Sequence, residues 1–428
     1  MRHPAVGSRR PNQARGWRAR VPDPLDVLAV AFCTVPTIAV LADKATVPTL
    51  LVTCVAMLPG AILQGWRPRR PGRLSLALVS LIVAWAAVSA SWSFDPPKGW
   101  ATLGRLLALV AAGWAIVDIA ASRQPLQHHT AARLARAAAA GVGVGLGVLI
   151  VELALDHPIV RTATWEWAAG AVTDSDTNRG FTILVVVLFM TLPLARRMPS
   201  GHLWAPALVT LTAVAAGLTD SGANIVGLLL ASAFVALAWL GWTVRLTIWV
   251  LAGVCGLIAM PWLAQAAFEF GLHRADWVPS SAQHRVHIWN FVSQWALERP
   301  LTGWGFDSSS DFGNRGVEPF SPGYSVIPLH PHNAALQIWL ELGIVGVLLT
   351  LAGVAQVVRG IDARGADAAR WVGAAAMASC VIADIGYGAW QTQWTASILW
   401  FFCYAAVLWP AQALARPPTQ QPSRQQAR

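Results

Sequence analysis

The sequence predicts an all-α protein that crosses a membrane many times. Of its 428 residues, 55% are hydrophobic and only 12% are charged, whereas a soluble domain carries about 25% charged residues. A hydropathy window of about 19 residues finds about twelve apolar segments with polar connections between them. We therefore expect one transmembrane domain over residues 24–413, a basic tail at 1–23 and a polar, Pro-rich, disordered tail at 414–428.

Each predicted span is an apolar run of the order of the 20 residues that a helix needs to cross a bilayer. The first run, after Asp23, is long for a signal peptide and has no convincing cleavage site, so we expect it to remain as a span. The sixth and seventh runs are shorter than the others. In chain order the predicted spans are 24–42, 46–65, 74–92, 100–120, 136–155, 180–195, 203–219, 223–242, 247–267, 333–357, 371–391 and 395–413.

The basic residues indicate how the spans are oriented. The formal net charge is +10, but Lys and Arg concentrate in short connections such as WRPRRPGR (66–73), so we expect membrane lipids and no nucleic acid as partners. With the N-terminus in the cytoplasm, every inner connection is basic, in agreement with the positive-inside rule. Both termini are therefore predicted to be cytoplasmic.

Two outer connections are long. One runs from Asp156 to Arg179, and the other, at about 268–332 between the ninth and tenth spans, is the largest polar segment. Within the second, QHRVHIWNFVSQWAL (283–297) has a roughly helical period and predicts an amphipathic helix. The following ERPLTGWGFDSSSDFGNRG (298–316) is rich in Gly, Pro and Ser and predicts a shaped loop.

The tenth span, which begins in HPHNAALQIWLELGIVG (330–346), carries polar residues where lipid would be expected. Asn333 can cap the helix, and Gln337 and Glu341 follow at intervals of four, so all three share one helix face. Glu341 is predicted roughly 12 Å below the cap. A carboxylate at that depth is costly against lipid, so the stripe forms either a satisfied interhelical hydrogen-bond network or the wall of an outward-facing active site.

His330 and His332 precede the N-terminus of this helix, where the helix dipole disfavours a protonated imidazole. A neutral histidine at such a position is a candidate general base. Two histidines separated by one residue can also bind a metal, but no third ligand lies beside them in the sequence. The sequence Asp174-Ser175-Asp176 in the other outer connection offers a second, weaker metal hypothesis. We predict no metal and no cofactor.

Several arginines are predicted on the same side as these histidines. Arg179 begins the sixth span, Arg285 lies in the amphipathic helix, and Arg105 lies in the outer turns of the fourth span. Each alone is typical of a solvated or snorkelling side chain. Together, beside a candidate base, they predict a binding site for an anionic lipid headgroup, because arginine binds phosphate in a bidentate manner.

These residues resemble the family of bacterial O-antigen ligases and O-antigen polymerases. The resemblance rests on HRVHIW, in which Arg285 is followed four residues later by Trp289, on ERPLTGWGF and on HPHNAALQIWLELGIVG. Weaker matches upstream are SASWSFDPPKGW, DTNRGFTILVVVL and LTDSGANIVGLLLAS, so the resemblance covers most of the chain in order. One departure is Ser221-Gly222-Ala223-Asn224, where many relatives have an Arg after the Ser.

The resemblance implies a GT-C-like membrane glycosyltransferase of the bacterial inner (plasma) membrane. It implies inverting, metal-independent transfer of a glycan from undecaprenyl diphosphate to an acceptor hydroxyl on the periplasmic face. Arg285 and Arg179 would bind the diphosphate, with Arg105 as a further candidate, and His332 would act as the base, with His330 as the alternative. Asn333, Gln337, Glu341 and Trp289 would support the site.

Two other functions remain open at this point. A polymerase that extends the carrier-linked glycan would share the site with a ligase that transfers the glycan to lipid A–core. A twelve-span secondary transporter belongs to a different class. Transporters bind substrate near the middle of the membrane, whereas the polar residues of this chain gather at the outer boundary.

Overall fold

The computed structural model describes residues 21–163, 174–196, 198, 200–314, 327, 330–363 and 365–414. Fourteen helices and no strand occur in this part of the chain. In order they are α1 Pro24–Leu41, α2 Thr46–Leu63, α3 Arg73–Ala90, α4 Pro96–Ser122, α5 His128–Ala154, α6 Pro158–Ala163, α7 Asp174–Ala195, α8 Gly201–Leu218, α9 Gly222–Ala236, α10 Trp242–Glu269, α11 Ser280–Glu298, α12 Ala334–Asp362, α13 Ala366–Gly386 and α14 Thr392–Leu414.

Eleven of the described helices are long and apolar enough to cross a membrane. They coincide with the first eleven predicted spans, and α14 (Thr392–Leu414) lies where the twelfth was predicted. The chain is therefore an all-α, multi-pass membrane protein, as its composition predicts. The amphipathic helix predicted at 283–297 is also confirmed, as α11.

Local sequence explains where helices begin. At α1 the Asp23 carboxylate accepts a hydrogen bond from the Leu25 N–H (2.8 Å), and Pro24 occupies the first helical position. At α4 the carboxylate of Asp95 accepts from the Lys98 N–H (3.2 Å) in the same way. Such caps satisfy backbone donors that have no partner inside the helix.

The most buried span is α7, which lies at the centre of the bundle. Within its candidate span Thr177–Ala195, 89% of the residues are buried. It packs against α1, α5, α13 and α14, and its side chains from Phe181 to Phe189 form part of the main hydrophobic core. By contrast, only 6% of the residues in the apolar stretch of α10 are buried. The residues at the start of α7, including Arg179, are therefore held by a rigid element.

A break in α12 joins two of the sequence motifs. Gly343 has φ 62° and ψ −161°, which interrupts the helix and which only glycine adopts readily. The Ile344 N–H, freed from its helical partner, donates to the carbonyl of Pro300 (2.8 Å). In return, the Trp304 N–H donates to the carbonyl of Leu340 (2.8 Å). The ERPLTGWGF loop is thus paired with the ELG sequence of the tenth span through backbone hydrogen bonds.

Glycine also allows the two backbones to approach each other. A Cβ atom at Gly303 would lie 2.4 Å from the carbonyl carbon of Glu341, and Gly303 itself has φ +66°. The loop is fixed to α11 as well, because Trp304 Nε1 donates to the Trp295 carbonyl (2.8 Å). These contacts hold α11 and α12 in a defined relation on either side of the histidines.

Candidate functional site

The histidine sequence forms a tight turn between α11 and α12. His332 has φ +55°, a left-handed conformation that is uncommon for a residue with a side chain. Asn333 is extended and caps α12, since its side-chain oxygen accepts from the Leu336 N–H (2.8 Å). The carbonyl of Pro331 accepts a hydrogen bond from Trp289 Nε1 (3.0 Å). The predicted cap and the predicted supporting Trp289 therefore both act on this turn.

The hydrogen bonds distinguish the two imidazole rings. The backbone N–H of His332 donates to Nδ1 of His330 (3.1 Å), and Nε2 of His330 lies 2.6 Å from the side-chain amide of Gln391. Both ring nitrogens of His330 are therefore occupied. His332 Nδ1 lies 3.3 Å from the carbonyl oxygen of Gly386. Since a carbonyl only accepts, His332 carries its proton on Nδ1 in this contact, and its Nε2 has no hydrogen-bond partner among the described residues.

Both histidines are neutral at pH 7. Burial lowers the pKa of His330 to about 3, and His332, Arg179 and Arg285 lower it by charge repulsion. Burial likewise lowers the pKa of His332 to about 4, followed by the charge of Arg285, while the contact with Gly386 acts in the opposite direction. A neutral ring with an unoccupied Nε2 can accept a proton, so His332 has the chemistry of a general base.

The two arginines predicted to bind the diphosphate are near enough to this pair for their charges to lower the pKa of both histidines. Arg285 lies one helical turn before Trp289 on α11, and both Arg285 and Arg179 interact electrostatically with His330 and His332. Burial lowers the pKa of Arg285. No described Asp or Glu forms an ion pair with Arg285. A half-buried cation without an acidic partner favours binding of an anion at this position.

Arg105 lies in a different set of contacts. It donates to Thr102 Oγ1 (2.7 Å), which in turn donates to the Asp307 carboxylate (2.7 Å). Nearby, Lys98 pairs with Asp311 (3.0 Å) and so fixes the loop to the start of α4. Within the described residues no contact joins Arg105 to the histidines, and its predicted role in binding a diphosphate stays a prediction.

The polar stripe on α12 is a hydrogen-bond network with two neighbouring loops. The Glu341 carboxylate is fully buried and accepts from the Asp307 N–H (2.6 Å), Gln337 Nε2 (2.9 Å) and Trp390 Nε1 (2.6 Å). It also accepts from the backbone N–H and the hydroxyl of Ser309. Of the two interpretations of the stripe, the satisfied hydrogen-bond network describes Gln337 and Glu341.

The loop that follows α13 forms a second wall of the site, and the sequence analysis missed it. Besides the contacts of Gly386 and Gln391 with the two histidines, its Ala389 N–H donates to the side chain of Gln337 (2.8 Å). Gly388 permits the approach, because a Cβ there would lie 2.8 Å from His330. The two glycines of GYGAWQ (386–391) are typical of a turn, but the predicted span 371–391 contains this segment.

An apolar cavity adjoins the site. It has a volume of about 390 Å³ and lies between α10, α12 and α13, where it begins at Ala334 and Ala335, directly after the histidine turn. Its lining is mostly aliphatic, with the carboxylate of Asp384 near the start of α12. This mostly apolar lining suits an apolar chain.

No observation in the described part of the chain supports a metal at the two histidines or at Asp174 and Asp176. In the described part of the chain, no group of three or more His, Cys, Asp or Glu side chains is arranged to hold a metal ion. The side chains of Asp174 and Asp176 lie outside the described part of the chain.

Residues 207–351 match the family model of the O-antigen ligase. The predicted family resemblance is confirmed. The chain is 38% identical over 136 residues to "Putative polysaccharide ligase" of Rickettsia prowazekii, an alignment that covers 30% of this chain and 33% of that protein. It is 37% identical over 136 residues to the protein of the same description from Rickettsia typhi, with the same coverage.

These alignments span about a third of the length of the curated relatives. The segment that matches the O-antigen ligase family contains Arg285, Trp289, the histidine turn and the first half of α12. Arg179 and the Gly386–Gln391 loop lie outside it, although the charge of Arg179 lowers the pKa of both histidines and the loop contacts both rings directly. The candidate site thus extends beyond the matched segment.

Proposed function

We propose that this protein is an O-antigen ligase-like glycosyltransferase. It transfers a glycan from undecaprenyl diphosphate to an acceptor hydroxyl, with lipid A–core as the acceptor, on the periplasmic face of a bacterial inner membrane. The observation that carries the proposal is the position of Arg285, a half-buried cation without a described acidic partner, beside a neutral His332 whose Nε2 is unoccupied. The family match of residues 207–351 supports it.

The reaction proceeds by a single displacement. His332 Nε2 takes the proton of the acceptor hydroxyl as the hydroxyl oxygen attacks the anomeric carbon of the donor sugar. The bond between that carbon and the carrier phosphate oxygen breaks at the same time, so the configuration at the anomeric carbon is inverted. The electron pair leaves with the diphosphate, whose charge Arg285 and Arg179 stabilise without a metal. The imidazolium then loses its proton to water as the products separate.

His330 has a supporting role in this scheme. Its two ring nitrogens are engaged by the His332 backbone and by Gln391, so it orients the turn and does not accept the proton. These contacts support His332 as the base, a choice between two histidines that the sequence alone left open. The apolar cavity beside α12 accommodates the prenyl chain of the carrier. The basic connections support an orientation with both termini in the cytoplasm.

The test uses the purified full-length protein with an undecaprenyl-diphosphate-linked glycan, with and without lipid A–core, in the presence of EDTA. We expect glycan on lipid A–core, reduced about 10²–10⁴-fold in His332→Ala and Arg285→Ala. Arg274→Ala, which removes a cation from the turn after α10, serves as the control and should retain activity.

The other outcomes contradict specific parts of the proposal. Longer carrier-linked glycans without added acceptor would make the protein a polymerase that uses the same site. Loss of activity in EDTA would overturn the metal-independent mechanism and direct attention to Asp174 and Asp176. Absence of transfer by folded wild-type protein with either acceptor would refute the glycosyltransferase.

A further inference from the structure

The first turn of α7 is fixed by neighbouring elements on several sides. Thr177 Oγ1 lies 3.1 Å from Nδ1 of the buried His157, in the connection after α5. The Asn178 carbonyl accepts a hydrogen bond from the side chain of Asn224 at the start of α9 (2.8 Å). Asn224 stands in the sequence where the chain departs from its relatives, and here it serves to hold the residue next to Arg179.

Arg179 itself is paired with Asp43. Asp43 begins the short 3₁₀ turn Asp43–Ala45 between α1 and α2, and its Oδ2 lies 3.3 Å from Nη1 of Arg179. The Asp43 side chain is 10% exposed and the Arg179 side chain 35%. The other carboxylate oxygen accepts the N–H of Lys44 (2.7 Å). The backbone N–H of Lys44 therefore helps to orient the Asp43 carboxylate that contacts the Arg179 guanidinium.

Gly180 explains why two residues 136 positions apart meet. A Cβ atom at Gly180 would lie 2.4 Å from Cα of Val40, so α7 and the end of α1 are in direct backbone contact. Asp43 follows the last residue of α1 by two positions. The close approach at Gly180 brings its carboxylate next to the neighbouring Arg179.

Tyr387 connects this pair to the histidines. Its hydroxyl lies 2.9 Å from Thr182 Oγ1, one turn after Arg179 on α7. Tyr387 directly follows Gly386, whose carbonyl contacts His332. The helix turn that carries Arg179 is therefore linked by a hydrogen bond to the loop that orients the proposed base.

We propose that Asp43 is a positioning residue that holds the guanidinium of Arg179 towards the donor diphosphate. The proposal rests on the proposed function for the identity of the anion. An arginine side chain has several rotatable bonds. Because the fixed Asp43 carboxylate already restrains the Arg179 side chain, less conformational entropy is lost when the diphosphate binds. Asp43 does not touch the reacting atoms. Its proposed effect on donor binding is exerted through Arg179, and this distinguishes it from an acid that only stabilises the bundle.

The test compares Asp43→Asn with wild type in donor titrations. We expect the KM for the carrier-linked donor to rise about tenfold, which corresponds to one charge-assisted hydrogen bond. The kcat, the KM for the acceptor and the pH profile should stay close to wild type. Asp43→Glu keeps the carboxylate and should recover most of the donor KM. Asp156→Asn, which breaks the exposed pair with Arg161, is the matched control and should leave the donor KM unchanged.

A double mutant separates positioning from structure. If Asp43 acts through Arg179, Asp43→Asn adds nothing to the defect of Arg179→Ala. If the double mutant had a larger donor-binding defect than Arg179→Ala, the proposal would be overturned. An unchanged donor KM in Asp43→Asn would also overturn it. The dissociation constant of glycan-free undecaprenyl diphosphate, measured on the same purified variants, provides a readout that needs no transfer. Failure of transfer with intact binding refutes the proposed function, whereas equal binding by wild type and Asp43→Asn refutes the role of Asp43.

Discussion

The carbonyl oxygen of Gly386 lies 3.3 Å from Nδ1 of His332, although 54 residues separate them in the chain. This contact orients the imidazole and leaves Nε2 as the nitrogen that can accept a proton. The same loop contacts His330 through Gln391. One short connection after α13 therefore gives different hydrogen-bond partners to two histidines that the sequence presents as equivalent.

The first prediction concerns these two histidines. His332→Gln removes the proposed base, and we expect kcat to fall about 10²–10⁴-fold. His330→Gln keeps a side-chain amide near Gln391 and removes only an orienting ring, so its kcat should fall about tenfold at most, with the donor KM near wild type. Glycan transfer by both purified variants, at equal amounts of folded protein, measures the difference. Equal losses in both would show that the hydrogen bonds do not distinguish the rings.

The second prediction is the pH dependence of transfer. The base must be unprotonated, and the pKa of His332 is lowered to about 4. As pH falls, kcat/KM should therefore stay level through pH 6.5, where an ordinary histidine titrates, and decline only towards about pH 4. The measurement is the acid limb of kcat/KM for the donor at constant ionic strength. A decline centred near pH 6.5 would mean that His332 is exposed or is not the base.

Arg285 contributes to this low pKa through its charge. Arg285→Gln removes the charge and should shift the acid limb to higher pH, besides weakening donor binding. Arg285→Lys keeps the charge and should leave the limb in place, even though lysine lacks the planar fork that binds phosphate. If both variants shifted the limb equally, the repulsion between Arg285 and His332 would not be its cause.

Much of the fold follows from the sequence, because apolar length determines most spans. The observed and predicted helix bounds differ where a helix extends into polar sequence or ends before the apolar run does. α5 begins at His128, eight residues before its predicted start, since the Ala-rich and Arg-containing segment that precedes the apolar run is also helical. α13 ends at Gly386 and not at 391, because the next residues turn towards the histidines.

Only those residues of the candidate site that lie in local sequence motifs could be predicted from the sequence. His332, Arg285 and Trp289 lie in motifs whose spacing places them on adjacent elements, and the structure brings them together. Asp43 and Gly386 have no such signal, since each acts through a contact between distant parts of the chain. Arg105 lies in α4, as predicted, and its side chain contacts Thr102, which in turn contacts Asp307.

The third prediction concerns Glu341, which accepts hydrogen bonds from Asp307, Ser309, Gln337 and Trp390. Glu341→Ala leaves these buried donors without an acceptor, so it should destabilise the protein by about 3 kcal/mol or more. The loop that carries Asp307 and Ser309 should also become sensitive to protease.

Thermal unfolding of the detergent-solubilised protein, with limited proteolysis, measures both effects. Glu298→Ala at the exposed end of α11 is the control and should change stability by no more than about 0.5 kcal/mol. Wild-type stability of Glu341→Ala would show that the network does not hold the loop. Glu341→Gln retains one acceptor oxygen and should give an intermediate result.

The fourth prediction uses two glycines of α12. Gly343 has φ +62°, and a Cβ atom there would lie 2.4 Å from the Leu301 carbonyl oxygen, so Gly343→Ala combines backbone strain with a clash. We expect loss of thermal stability and of transfer, because the break in α12 sets the position of the histidine turn. Gly353, on the same helix, has open space around its Cβ position, and Gly353→Ala should be neutral or stabilising by up to about 1 kcal/mol. Equal behaviour of the two variants in thermal unfolding would show that the pairing of the ERPLTGWGF loop with the broken helix is not what fixes the site.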